Sequence, residues 1–357
     1  MIKISILTPC FNHEKYIKYF IQSILEQSFE NFELIIVDDY SSDDSVKEIQ
    51  KFQDPRIKLI KHEFNKGINA ALNAAFENSN GDYIVFCASD DMLEKNALEK
   101  IYQIFNSLEV DVIYPSMSII NDQNIEISKS FITQRSNLKA LRHLFFKGNC
   151  FFSPGMAVKK EVFKKIYPLP NALCNHQDTQ MHISLLAQKA KIHFLKETLV
   201  KYRIRADEKN ISTPNISTKA RENLEIELLM DSFLKINDIR FLKEIFNDEI
   251  KKLKIEPFED TIEFFLGRIA IESEEKTRKY WGYHKIMHFY NNKNNVKILL
   301  EKYNFTFKDL LSLSILCDDD RVEKKYRKYK KMFNYSILLL GIITLVLIFN
   351  FIMEIYG

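Results

Sequence analysis

Apolar and polar residues in the first third of the chain follow two alternating periods. Short β-branched runs at 4–7, 33–37, 57–60, 83–86 and 110–114 read as buried strands. Between them apolar residues recur at helical spacing. Tyr16, Ile17, Phe20, Ile21, Ile24 and Leu25 share one stripe, and Val46 and Ile49 follow a Ser or Asp cap near Ser42. Further helices are expected over 69–76 and 95–105. Strand and helix in steady alternation predict an α/β fold with a doubly wound, mainly parallel sheet. Residues 116–212 are less regular, with a strand near 153–158, a helix over 179–190 and a strand near 199–202. From about Pro214 to Cys317 the pattern is helical.

Two of these strands end in carboxylate pairs, Asp38-Asp39 and Asp90-Asp91. In open α/β sheets ligands bind at the carboxyl ends of the strands. Two acid pairs about 50 residues apart at one rim point to a site for a nucleotide and a divalent cation. The plain alternative for each pair is a helix-capping turn, since both precede expected helices.

Composition narrows the classes. A hydrophobic content of 46% supports a full core, and a net charge of +3 on 357 residues predicts no general nucleic-acid role. Five widely spaced cysteines without a C-x-x-C favour reduced thiols, with Cys10 and Cys87 as core residues. No signal peptide is visible, because Met1-Ile2-Lys3-Ile4 runs straight into a strand.

The basic residues are unevenly spread. Residues 332–353 form 22 positions without a charge, about 33 Å as a helix, enough to cross a hydrocarbon core. The preceding 321–331 carries seven basic residues against one acid. By the positive-inside bias this predicts a single-pass anchor in the inner membrane with the large amino-terminal part on the cytoplasmic side. A buried or dimerising tail helix, or one lying on anionic lipid, is the alternative. The expected division is therefore 1–213 for the α/β part, 214–331 for a helical extension with a basic juxtamembrane segment, and 332–353 for the span.

Six segments in order carry a family resemblance: Ile4–Asn12 as opening strand and nucleotide loop; Gln27-Ser28-Phe29 with 32–41; Asn65-Lys66-Gly67 followed by Ala71-Leu72-Asn73; Gly81–Ile84 with Ser89-Asp90-Asp91; Asn175-His176-Gln177-Asp178; and Tyr202-Arg203-Ile204-Arg205 with Asn210-Ile211-Ser212. Over about residues 3–212 the chain resembles the family 2 glycosyltransferases of the GT-A fold, inverting enzymes that use nucleotide-diphosphate sugars.

The resemblance implies the roles. Asp39 would accept N–H from a uracil-like base, with Asp38 supporting the turn. Thr8, Pro9 and Asn12 would line the nucleotide loop, and Phe11 would pack on the base. Gly67 would admit close backbone approach, and Asn73 would bond the nucleotide or hold its own loop. Ser89 would lie at the nucleotide, and Asp90 would serve the ribose or support the site. Ala88 stands where many members carry the first acid of D-x-D, so Mg²⁺ or Mn²⁺ would rest on Asp91 with Asp90 in support. Asp178 would be the general base, although Gln177 replaces the acid usually before it. Arg205 stands where the family often has histidine and would pair with the diphosphate. His176 and His182 lie near Asp178 without acids or cysteines at zinc-ligand spacing.

These features imply transfer of a sugar, with inversion, from a UDP-like donor to a hydroxyl of a cell-envelope glycan or lipid-linked oligosaccharide. Ala88 and Gln177 keep open a decayed nucleotide-sugar-binding or scaffold protein. A nucleotidyltransferase would need a Gly-rich loop after the first strand, and residues 8–15 contain no glycine.

Overall fold

The structure, a computed structural model, describes residues 3–206, 210–317, 325–337, 339–341 and 344. The amino-terminal alternation runs β1 (Ile4–Cys10), α1 (Ile17–Leu25), β2 (Phe32–Asp38), α2 (Ser45–Gln50), β3 (Ile57–Lys61), α3 (Ile68–Glu77) and β4 (Tyr83–Phe86). There follow β5 (Met92–Leu93), α4 (Ala97–Ser107), β6 (Val112–Ile120), β7 (Glu126–Ser130), α5 (Asn137–Phe146), β8 (Ala157–Lys159), α6 (Lys160–Phe163), α7 (Gln177–Ala187) and β9 (Ile192–Arg203). A helical stretch closes the chain: α8 (Ile216–Asp231), α9 (Ile239–Ile245), α10 (Asn247–Leu253), α11 (Ile262–Ala270), α12 (Lys276–Tyr290), α13 (Lys293–Tyr303) and α14 (Phe307–Cys317).

Among the described residues nine strands form one sheet in the order β3-β2-β1-β4-β8-β6-β9-β5, with β7 paired to β6. The first four are parallel, Ile6 facing Leu34 on one side and Val85 on the other. The expectation of a mainly parallel sheet holds only there. β8 enters antiparallel between β4 and β6, and β5 and β7 also pair antiparallel, while β6 and β9 are parallel. The strand expected at 153–158 shrinks to Ala157–Lys159 for a local reason. Ser153-Pro154-Gly155 turns instead, with the Met156 N–H on the Ser153 carbonyl at 3.0 Å and Gly155 at φ +73°.

Alternate strand residues face opposite layers, as the pleat requires. Ile6, Leu34 and Ile36 meet Phe20, Ile24, Leu98 and Ile101 on one face. Leu7, Ile35 and Val37 belong to the opposite layer, which includes Phe76, Phe145, Phe246 and Trp281. Burying side chains of this size contributes roughly 1.5–3 kcal/mol each. Cys10 and Cys87 are core residues as expected, and burial pushes the Cys10 thiol up to about 12. Gly81 lies so close to β1 that a Cβ there would sit 2.6 Å from the Ser5 backbone nitrogen.

The chain divides into two compact units, one ending at Phe289 and the other starting at Tyr290. The first runs past the boundary expected at 213. Ile226, Met230, Phe246, Phe265 and Trp281 bury into the same layer as Leu7 and Val37, so the helices up to Phe289 extend the α/β core. In the second unit α13 and α14 bury Leu299, Leu310 and Leu313. The span expected over 332–353 lies largely outside the described residues; the described positions 332–337, 339–341 and 344 are helical. Among the described residues no helix is long and apolar enough to cross a membrane.

Candidate active site

The acid-tipped ends of β2 and β4 open into a cavity of about 1040 Å³. Pro9, Phe11, Asn12, Asp39, Gly67, Asp90, Asp91, Asp178 and Arg205 all line it. Residues separated by up to about 200 positions in sequence are therefore brought to one site. Thr8, Asn73 and Ser89 do not line it. Thr8 lies inside the β1–β2 ladder and is fully buried.

The loop after β1 is held to the loop after β2. Asn12 takes a positive φ of 56°, donates its N–H to Ser41 Oγ at 3.0 Å, and accepts the Ser42 N–H at 2.8 Å. Asp38 Oδ2 accepts the Ser41 N–H at 3.1 Å, which is the turn-supporting role expected of it. Asp39 does more than face the cavity. Its Oδ1 accepts the Lys66 N–H at 2.8 Å and stands 2.7 Å from His62 Nδ1, while Oδ2 accepts the Gly67 N–H at 2.8 Å. Gly67 supplies the positive φ of 89° that turns both amides toward it. A carboxylate has about four acceptor positions, so one stays available to a base N–H. Asn73 instead holds a loop: its Nδ2 donates to the Leu169 carbonyl at 2.9 Å and to Asn171 Oδ1 at 3.1 Å, and its Oδ1 accepts the Leu169 N–H at 2.9 Å. Ser89 instead bonds His13 Nδ1 at 2.7 Å.

Asp90 and Asp91 leave β4 on a tight turn. Arg203, fully buried at the end of β9, organises that turn. Its N–H donates to Asp91 Oδ1 at 2.9 Å, and its Nε donates to the Asp90 carbonyl at 2.7 Å. Its two Nη atoms each donate at 2.6 Å, one to the Asn121 carbonyl and one to Asn124 Oδ1. Asp90 faces two nitrogen-bearing side chains, His13 with Nε2 at 3.7 Å and the Arg205 guanidinium with Nη1 at 3.8 Å. Asn210 clasps the segment by accepting the Arg205 N–H and donating to the Arg203 carbonyl, both at 3.0 Å.

Asp91 is 1% exposed, and its Oδ2 has no hydrogen-bond partner among the described residues. Burial, reinforced by the neighbouring Asp90 charge, pushes its carboxyl well above the usual range. A buried orphaned carboxylate oxygen beside a cavity is the chemistry a divalent cation satisfies. Among the described residues no cluster of three or more His, Cys, Asp or Glu could hold a metal by itself. Mg²⁺ is commonly bound by one or two carboxylates with the rest of its shell from water and phosphate, so the pair present fits.

Across the cavity, Asp178 occupies the first turn of α7. Its Oδ1 accepts the Thr179 N–H at 2.6 Å and Thr179 Oγ1 at 3.1 Å. Its Oδ2 accepts Ser153 Oγ at 2.9 Å and Asn149 Nδ2 at 3.2 Å. The helical extension fixes this wall. The Glu225 carboxylate of α8 accepts the N–H groups of Cys174, Asn175 and His176 at 2.9–3.2 Å, just before Asp178. From α12, the buried Arg278 donates Nη1 to the Leu144 and Phe145 carbonyls at 2.9 and 2.7 Å. That caps α5 at the start of the loop carrying Asn149 and Ser153.

Sequence reasoning missed His13, Arg203, Ser153 and Glu225 as site-building residues. His13 follows the quoted Ile4–Asn12 segment, and Arg203 lies inside Tyr202-Arg203-Ile204-Arg205, where no role was given to it. Glu225 stands in a helix with no motif, and nothing local marks it.

Residues 5–167 match the glycosyl transferase family 2 model. An uncharacterised glycosyltransferase of Methanocaldococcus jannaschii is 32% identical over 206 residues, 56% of this chain and 70% of that protein. A UDP-Glc:α-D-GlcNAc-diphosphoundecaprenol β-1,3-glucosyltransferase of Escherichia coli is 36% identical over 122 residues, 34% of this chain and 48% of that one. S. aureus TarS 1–349 in complex with UDP-GlcNAc superposes with a TM-score of 0.59 at 19% identity, covering 85% of this chain and 92% of that one, which marks the same fold.

Proposed function

The chain belongs to the family 2 glycosyltransferases, and we propose that it transfers a sugar from a UDP-sugar, with inversion, to a hydroxyl of a glycan or lipid-linked oligosaccharide. The observation that carries the reading is that the orphaned Asp91 Oδ2 and the Asp178 carboxylate face one cavity. The E. coli relative's use of UDP-Glc and a diphosphoundecaprenol acceptor supports the donor and acceptor classes.

Asp39, through its remaining acceptor position, reads the base N–H, and Phe11, 45% exposed at the rim, offers a packing face. Asp90 serves the ribose. Asp91, assisted by Asp90, would hold Mg²⁺ or Mn²⁺. When bound, such an ion neutralises charge building on the departing diphosphate. Arg205 adds a fixed positive charge on the same side. Asp178 takes the proton of the acceptor hydroxyl as its oxygen attacks the anomeric carbon. The bond from that carbon to the diphosphate breaks, its electron pair leaving with the nucleotide. Retention of Asp90, Asp91 and Asp178 around one cavity argues against a decayed scaffold.

We place the enzyme at the cytoplasmic face of the inner membrane through its carboxyl-terminal segment. The basic run at 321–331 and the uncharged 332–353 support this. Tethering would raise enzyme concentration near a lipid-linked acceptor. Nucleotide release from a panel of nucleotide sugars, with Mn²⁺ and a diphosphoundecaprenol-linked sugar present, tests the whole reading. Absence of turnover with every donor would refute it.

A further inference from the structure

His182 stands one helical turn after Asp178 and is fully buried, so it touches no substrate. Its Nδ1 lies 2.8 Å from the Tyr114 hydroxyl, its Nε2 lies 3.2 Å from Ser153 Oγ, and Ser153 Oγ lies 2.9 Å from Asp178 Oδ2. The imidazole is fixed between rings, edge-on to Tyr114 at 5.2 Å and tilted on Phe151 at 5.0 Å. Four polar side chains from β6, α7 and the loop before β8 are thus joined in one line.

With a neutral ring, one arrangement of protons serves all three bonds. An ionised Asp178 can only accept, so the single Ser153 proton points at it. Ser153 Oγ must then accept from His182 Nε2–H. That leaves Nδ1 to accept from the Tyr114 O–H. Every donor points toward Asp178, and each bond polarises the next. An imidazolium would instead donate from both nitrogens and leave the buried Tyr114 proton without this partner. Burial favours the neutral ring, lowering His182 to about 4 against the opposing pull of Asp178, and it raises Tyr114 well above its ordinary value.

We propose that Tyr114, His182 and Ser153 form a positioning chain that runs from the core to Asp178 and keeps its carboxylate aimed at the acceptor hydroxyl. This rests on the reading of Asp178 as the general base. Thr179, which is buried, and Ser153, which lines the cavity, hold the two oxygens of the carboxylate. The exposed Asn149 amide, at 3.2 Å, is the partner an incoming hydroxyl displaces.

Two measurements on the full chain decide it. The first uses ¹⁵N-histidine labelling, with the His182 signals assigned by their loss in His182→Gln. A neutral Nε2–H ring at every pH from 5 to 8 is expected, with the Nε2 shift moved by Ser153→Ala and the Nδ1 shift by Tyr114→Phe. A ring that titrates near 6.5, or carries its proton on Nδ1, overturns the chain whatever the donor sugar. The second follows nucleotide release from UDP-N-acetylglucosamine with Mn²⁺ and water as acceptor. Loss of one polarising bond should lower kcat of Tyr114→Phe about 3–10-fold with KM within about twofold. In an Asp178→Asn background the same change should have no further effect. An inactive Asp178→Asn beside a Tyr114→Phe of wild-type kcat sinks the chain and leaves the base reading standing. An Asp178→Asn that keeps its rate sinks the base reading and the chain with it.

Discussion

The Arg203 guanidinium donates from Nε to the Asp90 carbonyl at 2.7 Å, while its own N–H holds Asp91 Oδ1 at 2.9 Å. One residue at the end of β9 thereby fixes the main chain of one acid and the side chain of the next. Arg203 also lies 4.9 Å over the Tyr16 ring and spends its Nη donors on Asn121 and Asn124. Lysine has no fork to reproduce this. Arg203→Lys should cost on the order of 3 kcal/mol and weaken Mn²⁺ binding, read by thermal unfolding and calorimetric titration. Unchanged Tm and affinity would show that the turn holds without the guanidinium.

Asp91→Ala should abolish Mn²⁺ binding in calorimetry and cut nucleotide release by at least about a hundredfold. Chelation of the wild type should reproduce the loss, and added Mn²⁺ should restore the wild type alone. A variant that still responds to Mn²⁺ would place the ion elsewhere.

Glu225 should matter to turnover although it belongs to the helical extension. Its carboxylate gathers three consecutive N–H groups before Asp178. Glu225→Ala leaves them without that partner, at roughly 1–3 kcal/mol. We expect kcat to fall about tenfold with donor KM within about twofold, because the wall bearing Asp178, the proposed base, loosens while the proposed nucleotide contacts at Asp39 and Asp91 are untouched. Equal losses in donor affinity would contradict that division.

His182 gives the protein an acid-sensitive element. Unfolded, it binds a proton below its ordinary value of 6.5; folded, only near about 4. Between those values the unfolded chain holds more protons, so stability rises with pH and is lost as pH falls through the window. The loss is on the order of 3 kcal/mol. Urea midpoints at pH 7.5 and 4.5 should differ less in His182→Gln than in the wild type, and equal differences would show that His182 is not the sensor.

Gly81→Ala should destabilise the first unit strongly, since the added methyl meets backbone atoms of Ile4 and Ser5 at 2.6–2.8 Å that cannot swing aside. Thermal unfolding checks this, and a drop under about 2 °C would mean that β1 and β4 can spread.

What the sequence revealed depended on how local the signal was. The strands ending at Asp38 and Phe86 stood out because both faces of a covered parallel sheet are apolar, leaving an uninterrupted run. The helices over Asn69 and Ile101 showed their stripe and differ from expectation only at their ends. β8 was misjudged because its three residues are set by pairing between β4 and β6, a tertiary cause with no period of its own. β7 shows no apolar alternation because four of its five residues are exposed. At the site, Asp39 and Asp91 stood out at strand ends, whereas Asp178 was reached through the family resemblance and not through a local pattern. Asn73 was legible as a polar residue near a loop, but only the fold shows that it bonds Leu169, 96 positions away. Glu225 and Arg278 act across 50 and 134 positions on backbone groups, and a backbone partner leaves no mark in the sequence that needs it.

The direction of those last two contacts has a consequence for biosynthesis. The acids of the nucleotide side leave the ribosome early, and β1, β2 and β4 can pair among themselves. The wall bearing Asp178 waits for Glu225 and for Arg278, more than a hundred residues downstream of the α5 carbonyls that it caps. The strands that carry the proposed nucleotide acids would thus pair before the wall bearing Asp178 is complete. Competence for transfer would arrive late in translation, when most of the first unit has already emerged.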